Sequence, residues 1–262
     1  MRLSYYLFLL LVLILPVSWM QETKADPLNE IVVTATRIES AMQDVARSIS
    51  LVSKEHIQNA TQLLGLDEVL NGVPGLYMQN RYNFAQDLRV ALRGFGIRSN
   101  FGIRGIKIIV DDIPETLPDG QAQVDSIDLG SAERIEVLRG PASSLYGNAS
   151  GGVISVVSEL GGSESFLEAK LAGGEFGYKK YQLKAVGQLN SIDYLFNVSQ
   201  QDFEGYRKHS SSRGHLVNSK VRLALSDDDT LTIAFNHTYQ PNEQAPGGIN
   251  AMQVVAAPRS AR

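Results

Sequence analysis

The segment VLRGPASSLYGNASGGVISVV, residues 137–157, constrains the fold of this chain more than any other stretch. An apolar, β-rich run enters a corner at Gly140 and Pro141, and a second β-branched run leaves after Gly151 and Gly152. Glycine tolerates positive φ and close backbone approach, so this pattern predicts two strands joined by a tightly folded connection. Any strand-turn-strand unit that contains glycines would fit the same pattern, and the flanking sequence therefore decides between folds.

The first 25 residues have the features of a secretory signal peptide. Arg2 precedes an apolar run at 5–17, and the small residues Thr23 and Ala25 follow it. A membrane anchor is the competing interpretation, but this run is shorter than the roughly 20 residues that a spanning helix needs. No later segment is a continuous apolar run of that length, so any membrane insertion of the mature chain must use strands.

Composition excludes several classes of function. A net charge of −4 and an isoelectric point near 5.6 argue against a nucleic-acid partner, which requires a concentrated basic surface. The absence of cysteine excludes a disulfide framework and thiolate metal sites. His209 and His215 lack acidic companions at ligand spacing, and the sequence contains no nucleophile-base set. We therefore expect no metal, no cofactor and no enzymatic activity.

Residues 26–40 form an extension behind the signal peptide. Within it, EIVVTA is a β-branched run that favours an extended strand. A free strand of this kind can add to the edge of a partner's sheet through backbone hydrogen bonds. The alternative is that it forms the first strand of the domain that follows. Its six residues are Glu30, Ile31, Val32, Val33, Thr34 and Ala35.

Residues 41–160 alternate short strands, small helices and polar loops, a pattern typical of an α+β domain with one core. Residues 48–52 predict a strand, and Ser53 is placed to cap the helix after it. Apolar residues at helical spacing predict a second helix over 62–70. Further strands are predicted at 75–79, 89–96, 106–114 and 133–139.

From residue 161 to 262 the pattern changes to period two, with one apolar or aromatic face and one polar face. About five such strands are predicted, at 166–172, 180–189, 192–200, 215–225 and 230–239. Strands of this length and polarity suit the wall of a transmembrane barrel, although a soluble antiparallel sheet has the same alternation. Closed, plugged barrels have about 22 strands, so we expect only the first antiparallel strands of a truncated transmembrane β-barrel.

Together these segments resemble a TonB-dependent outer-membrane receptor. Residues 137–157 resemble the closing motif of the family's plug domain, LNGVPGL at 70–76 resembles a second plug motif, and residues 30–35 resemble the TonB box. Three further segments are similar to the pyrroloquinoline quinone receptor subfamily, namely 79–87, 98–105 and 118–121. The resemblance implies an α+β plug domain followed by the first strands of the barrel.

The resemblance also implies active transport. A receptor of this kind lies in the outer membrane of a Gram-negative bacterium and binds a scarce solute, here pyrroloquinoline quinone or a similar molecule. Work for uptake would come from the C-terminal domain of TonB through residues 30–35. The implied partners are that domain, the small-molecule ligand and outer-membrane lipid, without nucleic acid. A receptor for an iron chelate (a ferric siderophore) is one alternative, and a secreted β-rich binding protein without transport is another.

Two polar loops of the plug would supply its ligand contacts, because in the family they face the extracellular cavity. Arginines could pair with carboxylates, aromatic rings could stack on a planar or chelate ring, and asparagines could hydrogen-bond carbonyls. Solvation of a polar loop is the alternative for each residue. The candidate residues are Arg81, Tyr82, Asn83, Arg98, Asn100 and Phe101.

Four charged residues on or near predicted strands are expected to line a seam between plug and barrel. Charges at such a wall are costly when dry, so they should meet barrel carboxylates or water. The four residues are Arg93, Glu133, Glu136 and Arg139.

Overall fold

The computed structural model describes residues 32–35, 37, 40–59, 62–79, 82–99, 102–162, 165–226 and 228–262. Apart from Val32, the elements described below belong to one compact unit, residues 33–262. The predicted signal peptide lies outside the described residues.

A five-stranded sheet forms the centre of the α+β domain predicted over residues 41–160, which is called the plug domain below. Its strands are β3 (Ser48–Ser53), β7 (Ile106–Val110), β8 (Ile113–Pro114), β10 (Ala132–Arg139) and β11 (Gly152–Ser158), in the spatial order β3-β10-β11-β7-β8. Strand β10 is antiparallel to both neighbours, whereas β11 and β7 are parallel. Because side chains alternate along β10, Ile135 and Val137 enter one core and Leu138 enters a second core on the other face.

Short elements complete the plug domain. Three two-stranded sheets pair β1 (Val32–Val33) with β2 (Ser40–Ala41), β4 (Leu76–Gln79) with β5 (Arg89–Leu92), and β6 (Ile103–Arg104) with β9 (Gln121–Ala122). The helices are α1 (Lys54–Gln58), α2 (Leu66–Val69) and α3 (Ser143–Tyr146), with 3₁₀ turns at Met42–Asp44 and Leu129–Ser131. The Ser53 hydroxyl accepts a hydrogen bond from the His56 N–H, which confirms the predicted cap of α1.

The glycine-rich segment 137–157 forms the predicted hairpin-like unit, in which β10 and β11 pair antiparallel and α3 lies in the connection. Gly152 has a φ of 144°, and a Cβ at this position would lie 2.2 Å from the Leu138 carbonyl oxygen. A Cβ on Gly151 would lie 2.6 Å from the Phe95 Cβ. Both positions therefore require glycine, for conformation at one and for close packing at both.

The period-two region forms one antiparallel sheet of five consecutive strands, called the meander below. Its strands are β12 (Phe166–Gly173), β13 (Lys179–Leu189), β14 (Ile192–Phe203), β15 (Ser212–Ala224) and β16 (Thr230–Glu243). Each strand pairs with the next one along the chain. This confirms the five predicted strands, and all five are longer than the sequence indicates.

The meander has the opposite polarity to a soluble sheet. On the face toward the plug domain, Lys184 and Asn197 are fully buried, whereas Leu183 and Phe196 are exposed on the outer face. A soluble sheet would bury its apolar side chains and expose its lysines. The wall of a transmembrane barrel has an apolar outer face and a polar inner face, and the meander has that arrangement.

The last described segment folds back onto the loop between β14 and β15. It contains the helix α4 (Ala251–Ala256), whose cap Asn250 forms a reciprocal capping box with Gln253. The Arg207 guanidinium donates hydrogen bonds to the carbonyls of Pro246, Gly247 and Ser260, at 3.1, 2.7 and 2.8 Å. One arginine thereby joins two loops at the same end of the meander.

The helix predicted over 62–70 is wrong in its first half. Only Leu66–Val69 is helical, and Leu63 has a φ of 54°, which an α-helix cannot contain. Leu63 is nevertheless buried in the core that contains Ile135 and Val137. Its apolar side chain therefore serves core packing and is not evidence of a helix. Within the described residues, no helix is both long and apolar enough to cross a membrane.

The close approach at Gly152 generates the first prediction. The substitution Gly152→Ala should lower the free energy of unfolding by about 3 kcal/mol, because the new methyl group meets backbone and the φ is strained. Gly72→Ala is the matched control, since a Cβ there would have no neighbour within 4 Å. Urea-dependent unfolding of the full-length protein in lipid vesicles measures both, and equal stability of the two variants would contradict the prediction.

Candidate functional site

Thr34 and Ala35, at the end of the predicted TonB box, are held against the plug domain by one buried carboxylate. Glu136 lies on β10 and is fully buried. Its Oε2 accepts hydrogen bonds from the backbone N–H groups of Thr34 and Ala35, at 2.8 and 2.7 Å. Its Oε1 accepts from the Arg134 Nε at 2.8 Å and from the Thr34 hydroxyl at 3.3 Å. Both carboxylate oxygens are thus occupied by donors.

Helix α3 supplies a second contact to the same segment. The Tyr146 hydroxyl donates to the Ala35 carbonyl at 2.9 Å, and the Arg37 guanidinium lies 4.5 Å from the centre of the Tyr146 ring. The side chains of Val33 and Ala35 are buried in the second core, together with Leu138. Residues 33–35 are therefore docked by backbone hydrogen bonds and by two small apolar side chains.

A polar interface joins the plug domain to the meander. The strand register aligns Glu168, Lys184, Asn197 and Asn218 in one row across β12 to β15. Lys184 donates to Glu159 Oε1 at 2.7 Å, and Lys54 pairs with the other oxygen of that carboxylate at 2.7 Å. Glu159 is itself buried, so two cations offset the cost of removing one carboxylate from water.

The 3₁₀ turn Leu129–Ser131 of the plug domain packs against this row. The Gly130 carbonyl accepts hydrogen bonds from Gln182 at 3.0 Å and from Lys184 at 3.3 Å. Asn218 donates to the Ser131 hydroxyl at 2.7 Å. A Cβ on Gly130 would lie 2.6 Å from the Gln182 amide nitrogen, so the end of the Gln182 side chain lies directly beside this glycine.

A second ion pair lies at the turn between β7 and β8. Lys220 donates to Asp111 Oδ1 at 2.9 Å and to the Ser158 carbonyl at 3.1 Å. The other oxygen of Asp111 accepts from the Ser158 hydroxyl at 2.5 Å. Both charged side chains are nearly buried, with 7% and 11% exposed. The neighbouring Asp112 has a φ of 67° and an exposed side chain.

Aromatic residues gather where the loop after β4 meets the meander. The Tyr82 ring stacks on Phe203 with centroids 6.0 Å apart, and Phe84 packs edge-on against the same ring at 5.8 Å. A cavity of about 450 Å³ is lined by Gln62, Tyr82, Glu175, Phe176, Phe203 and Tyr206. A narrower cavity of about 100 Å³ is also bordered by Tyr82, with Asn83 beside it.

The structure brings together only some of the predicted ligand residues. Tyr82 borders both cavities, and the buried Asn83 Oδ1 has no hydrogen-bond donor among the described residues. Arg98 is exposed in the separate loop after β5. The other candidates lie outside the described residues, as does the start of the predicted TonB box. They are Arg81, Asn100 and Phe101, and Glu30 and Ile31.

The four residues expected at the plug-barrel seam have different surroundings. Glu133 borders a cavity together with Phe166 of the meander. Glu136 instead faces the N-terminal segment, because it shares the face of β10 that carries Leu138. Arg139 donates to the Pro74 carbonyl at 3.4 Å, within the plug domain. Arg93 is exposed at a φ of 50° in the turn after β5.

The residues that form the interface were not singled out from the sequence. They are Asp111, Asp128, Glu159, Lys184, Asn197, Asn218 and Lys220. The alternation along the meander strands indicates that these lysines and asparagines share a polar face. It does not indicate which plug residues they meet, because the partners lie 25 to 109 positions away in sequence.

Comparison with known proteins agrees with the two-part fold. Residues 41–153 match the family model of the TonB-dependent receptor plug domain. The chain is 28% identical over 233 residues to the vitamin B12 transporter BtuB of Vibrio vulnificus strain YJ016, covering 86% of this chain and 37% of that protein. It is 35% identical over 154 residues to BtuB of Photobacterium profundum, covering 58% and 24%. The chain thus spans less than two fifths of these curated relatives.

Solved structures share the architecture. The pyoverdine outer membrane receptor FpvA from Pseudomonas aeruginosa PAO1 bound to pyoverdine superposes with a TM-score of 0.66 at 19% identity, covering 80% of this chain and 30% of that receptor. The ferric yersiniabactin uptake receptor FyuA from Yersinia pestis gives 0.61 at 22% identity, covering 74% and 31%. At these identities the likeness concerns the fold alone.

The buried pair between Lys220 and Asp111 generates the second prediction. Asp111→Asn keeps the shape of the turn but leaves the Lys220 ammonium buried without a counter-charge, which should cost about 3 kcal/mol of stability. Asp112→Asn is the matched control, because it makes the same change at an exposed side chain in the same turn. Urea-dependent unfolding of the full-length protein measures both. A loss of less than about 1 kcal/mol at Asp111 would show that the pair does not hold the interface.

Proposed function

Because the chain has the plug domain and the first antiparallel strands of a TonB-dependent receptor, we propose that the full-length protein actively imports a scarce solute across the outer membrane. The chain is an outer-membrane protein, because its TonB-dependent receptor homologues are outer-membrane proteins of Gram-negative bacteria. The observation that carries the proposal is the plug domain itself, which fills the polar face of the meander through Lys184 and Lys220. A plug held by polar contacts can be remodelled without opening an apolar core.

The proposed source of work is TonB, acting through residues 30–35. A β-branched segment of this kind can pair with the edge of a partner's sheet, so a pull on it is transmitted along backbone hydrogen bonds. In support, Thr34 and Ala35 are bound to the plug domain through Glu136. A force applied to this segment therefore reaches β10, an inner strand of the plug sheet, directly.

The proposed ligand is a planar, conjugated molecule that carries carboxylates, such as pyrroloquinoline quinone. In support, Tyr82, Phe176, Phe203 and Tyr206 line one cavity of about 450 Å³, which is large enough for a ligand of that size. Aromatic rings bind a flat ring system by stacking, and Asn83 offers an acceptor to a ligand N–H or O–H group. Arg81 and Arg98 would pair with the carboxylates.

A ferric siderophore is the second candidate ligand. It is favoured by the solved receptors for pyoverdine and yersiniabactin, which share the fold. The same aromatic cavity could accept a chelate ring. Competition for uptake among pyrroloquinoline quinone, ferric siderophores and vitamin B12 separates these classes; vitamin B12 is included because the sequence relatives are vitamin B12 transporters.

The coupling segment generates the third prediction. Deletion of residues 30–35 from the full-length protein should reduce uptake into cells to the background seen with an uncoupler, because TonB no longer has a strand to pull. Ligand binding to purified protein should change by less than about two-fold, because the aromatic cavity is untouched. Normal uptake by the deletion variant would contradict energy coupling through this segment. Binding without uptake in the unmodified protein would favour a non-transporting binding protein.

The aromatic cavity generates the fourth prediction. Tyr82→Ala should weaken ligand binding about 10-fold, because a stacking surface is removed. Tyr77→Ala is the control, since Tyr77 is also an exposed plug tyrosine but borders neither cavity at Tyr82. Binding to the purified full-length protein is measured by fluorescence titration with each ligand class. Unchanged quinone affinity in Tyr82→Ala, Arg81→Ala and Arg98→Ala together would remove the proposed site.

A further inference from the structure

We propose that Glu136 is the docking residue for the N-terminal coupling segment, and that its carboxylate holds the backbone of Thr34 and Ala35 on the plug domain until force removes them. The inference rests on the proposed function only for the source of the force. The docking itself is a property of the plug domain.

The donors around Glu136 have the geometry of an anchored strand end. Two successive backbone N–H groups converge on one carboxylate oxygen, at 2.8 and 2.7 Å. Hydrogen bonds to an ionised acceptor are shorter and stronger than neutral ones, and exclusion of water strengthens them further. Glu136 has no exposed surface, so these donors take the place of water around the charge.

The contact with Arg134 makes the docking reversible. When the segment leaves, Glu136 loses the donors of Thr34 and Ala35 but keeps the Arg134 Nε, which lies on the same strand. The carboxylate is therefore never left buried without a counter-charge, which would be the costly outcome. Arg134 is also partly exposed, so water can reach the pair once the segment has left.

Helix α3 makes the docking specific in position. The Tyr146 hydroxyl donates to the Ala35 carbonyl, while Glu136 accepts from the Ala35 N–H. Both backbone groups of one residue are therefore hydrogen-bonded to the plug domain. Burial raises the pKa of Tyr146, so this hydroxyl remains a donor at neutral pH. A slip of one residue would turn Val33 and Ala35 away from the second core.

The experiment is hydrogen-deuterium exchange of the full-length protein in lipid vesicles, without ligand and without TonB. Glu136→Gln should accelerate exchange of the Thr34 and Ala35 amides about 10- to 100-fold, because charge-assisted bonds become neutral ones. Glu133→Gln is the matched control: it lies on the same strand and also pairs with Arg134, at 3.6 Å, but has no contact with the segment among its described bonds. It should change exchange less than two-fold.

Tyr146→Phe is the second variant and keeps the aromatic ring under Arg37. It should accelerate exchange of the same amides about 3- to 10-fold, because one neutral hydrogen bond is removed. Exchange of the β11 amides reports whether each variant is folded. If Glu136→Gln does not fold, Tyr146→Phe decides the outcome.

Unchanged exchange at Thr34 and Ala35 in a folded Glu136→Gln variant would overturn the proposal. An equal increase in Glu133→Gln would do so too, since the effect would then belong to β10 in general. A protein that does not transport shows no uptake in its unmodified form, and failure of the proposed coupling through residues 30–35 gives a further, different result. In that case uptake survives deletion of residues 30–35, while the exchange pattern of the Glu136 variants remains as expected.

Discussion

The ion pairs between lysines of the meander and carboxylates of the plug domain are the constraint on which the rest of the structure depends. Lys184 is fully buried and Lys220 nearly so, and a buried ammonium without a partner costs several kcal/mol. Glu159 and Asp111 supply those partners. The inner face of the meander can therefore bury these two lysines because the plug domain supplies their counter-charges, and the outer face carries the apolar side chains that suit lipid.

Glu136 is also a buried carboxylate that needs donors in place of water, but its donors come from a different part of the chain. At the plug-meander interface, Glu159 and Asp111 each meet a lysine of the meander sheet, Lys184 and Lys220 respectively. At Glu136, most donors belong to a chain segment that has few other attachments, and only Arg134 stays in place when that segment leaves. The interface thus stabilises the plug within the meander, whereas the Glu136 site binds a strand that can be withdrawn.

Much of the fold could be predicted from local sequence. The glycine pair at Gly151 and Gly152 required a close backbone approach, and the structure has it. Period-two alternation located all five meander strands, and Ser53 marked the start of α1. The helix predicted over 62–70 was wrong because Leu63 is apolar for core packing, and helical spacing cannot be told from burial in so short a run.

The candidate sites were less predictable, because they depend on partners far apart in sequence. The sequence by itself determined a plug domain, a following set of barrel-type strands and a β-branched N-terminal segment, since glycine conformation, side-chain alternation and strand propensity are local properties. Only the tertiary structure decided that Glu136 meets that segment and not the barrel wall. It also decided that Lys184 and Lys220 carry the interface, and that Tyr82 meets Phe203. In each of these contacts, the alternation of side chains along the sequence indicates which residues share one face of an element. The residues that this face contacts are determined only when the elements pack against each other.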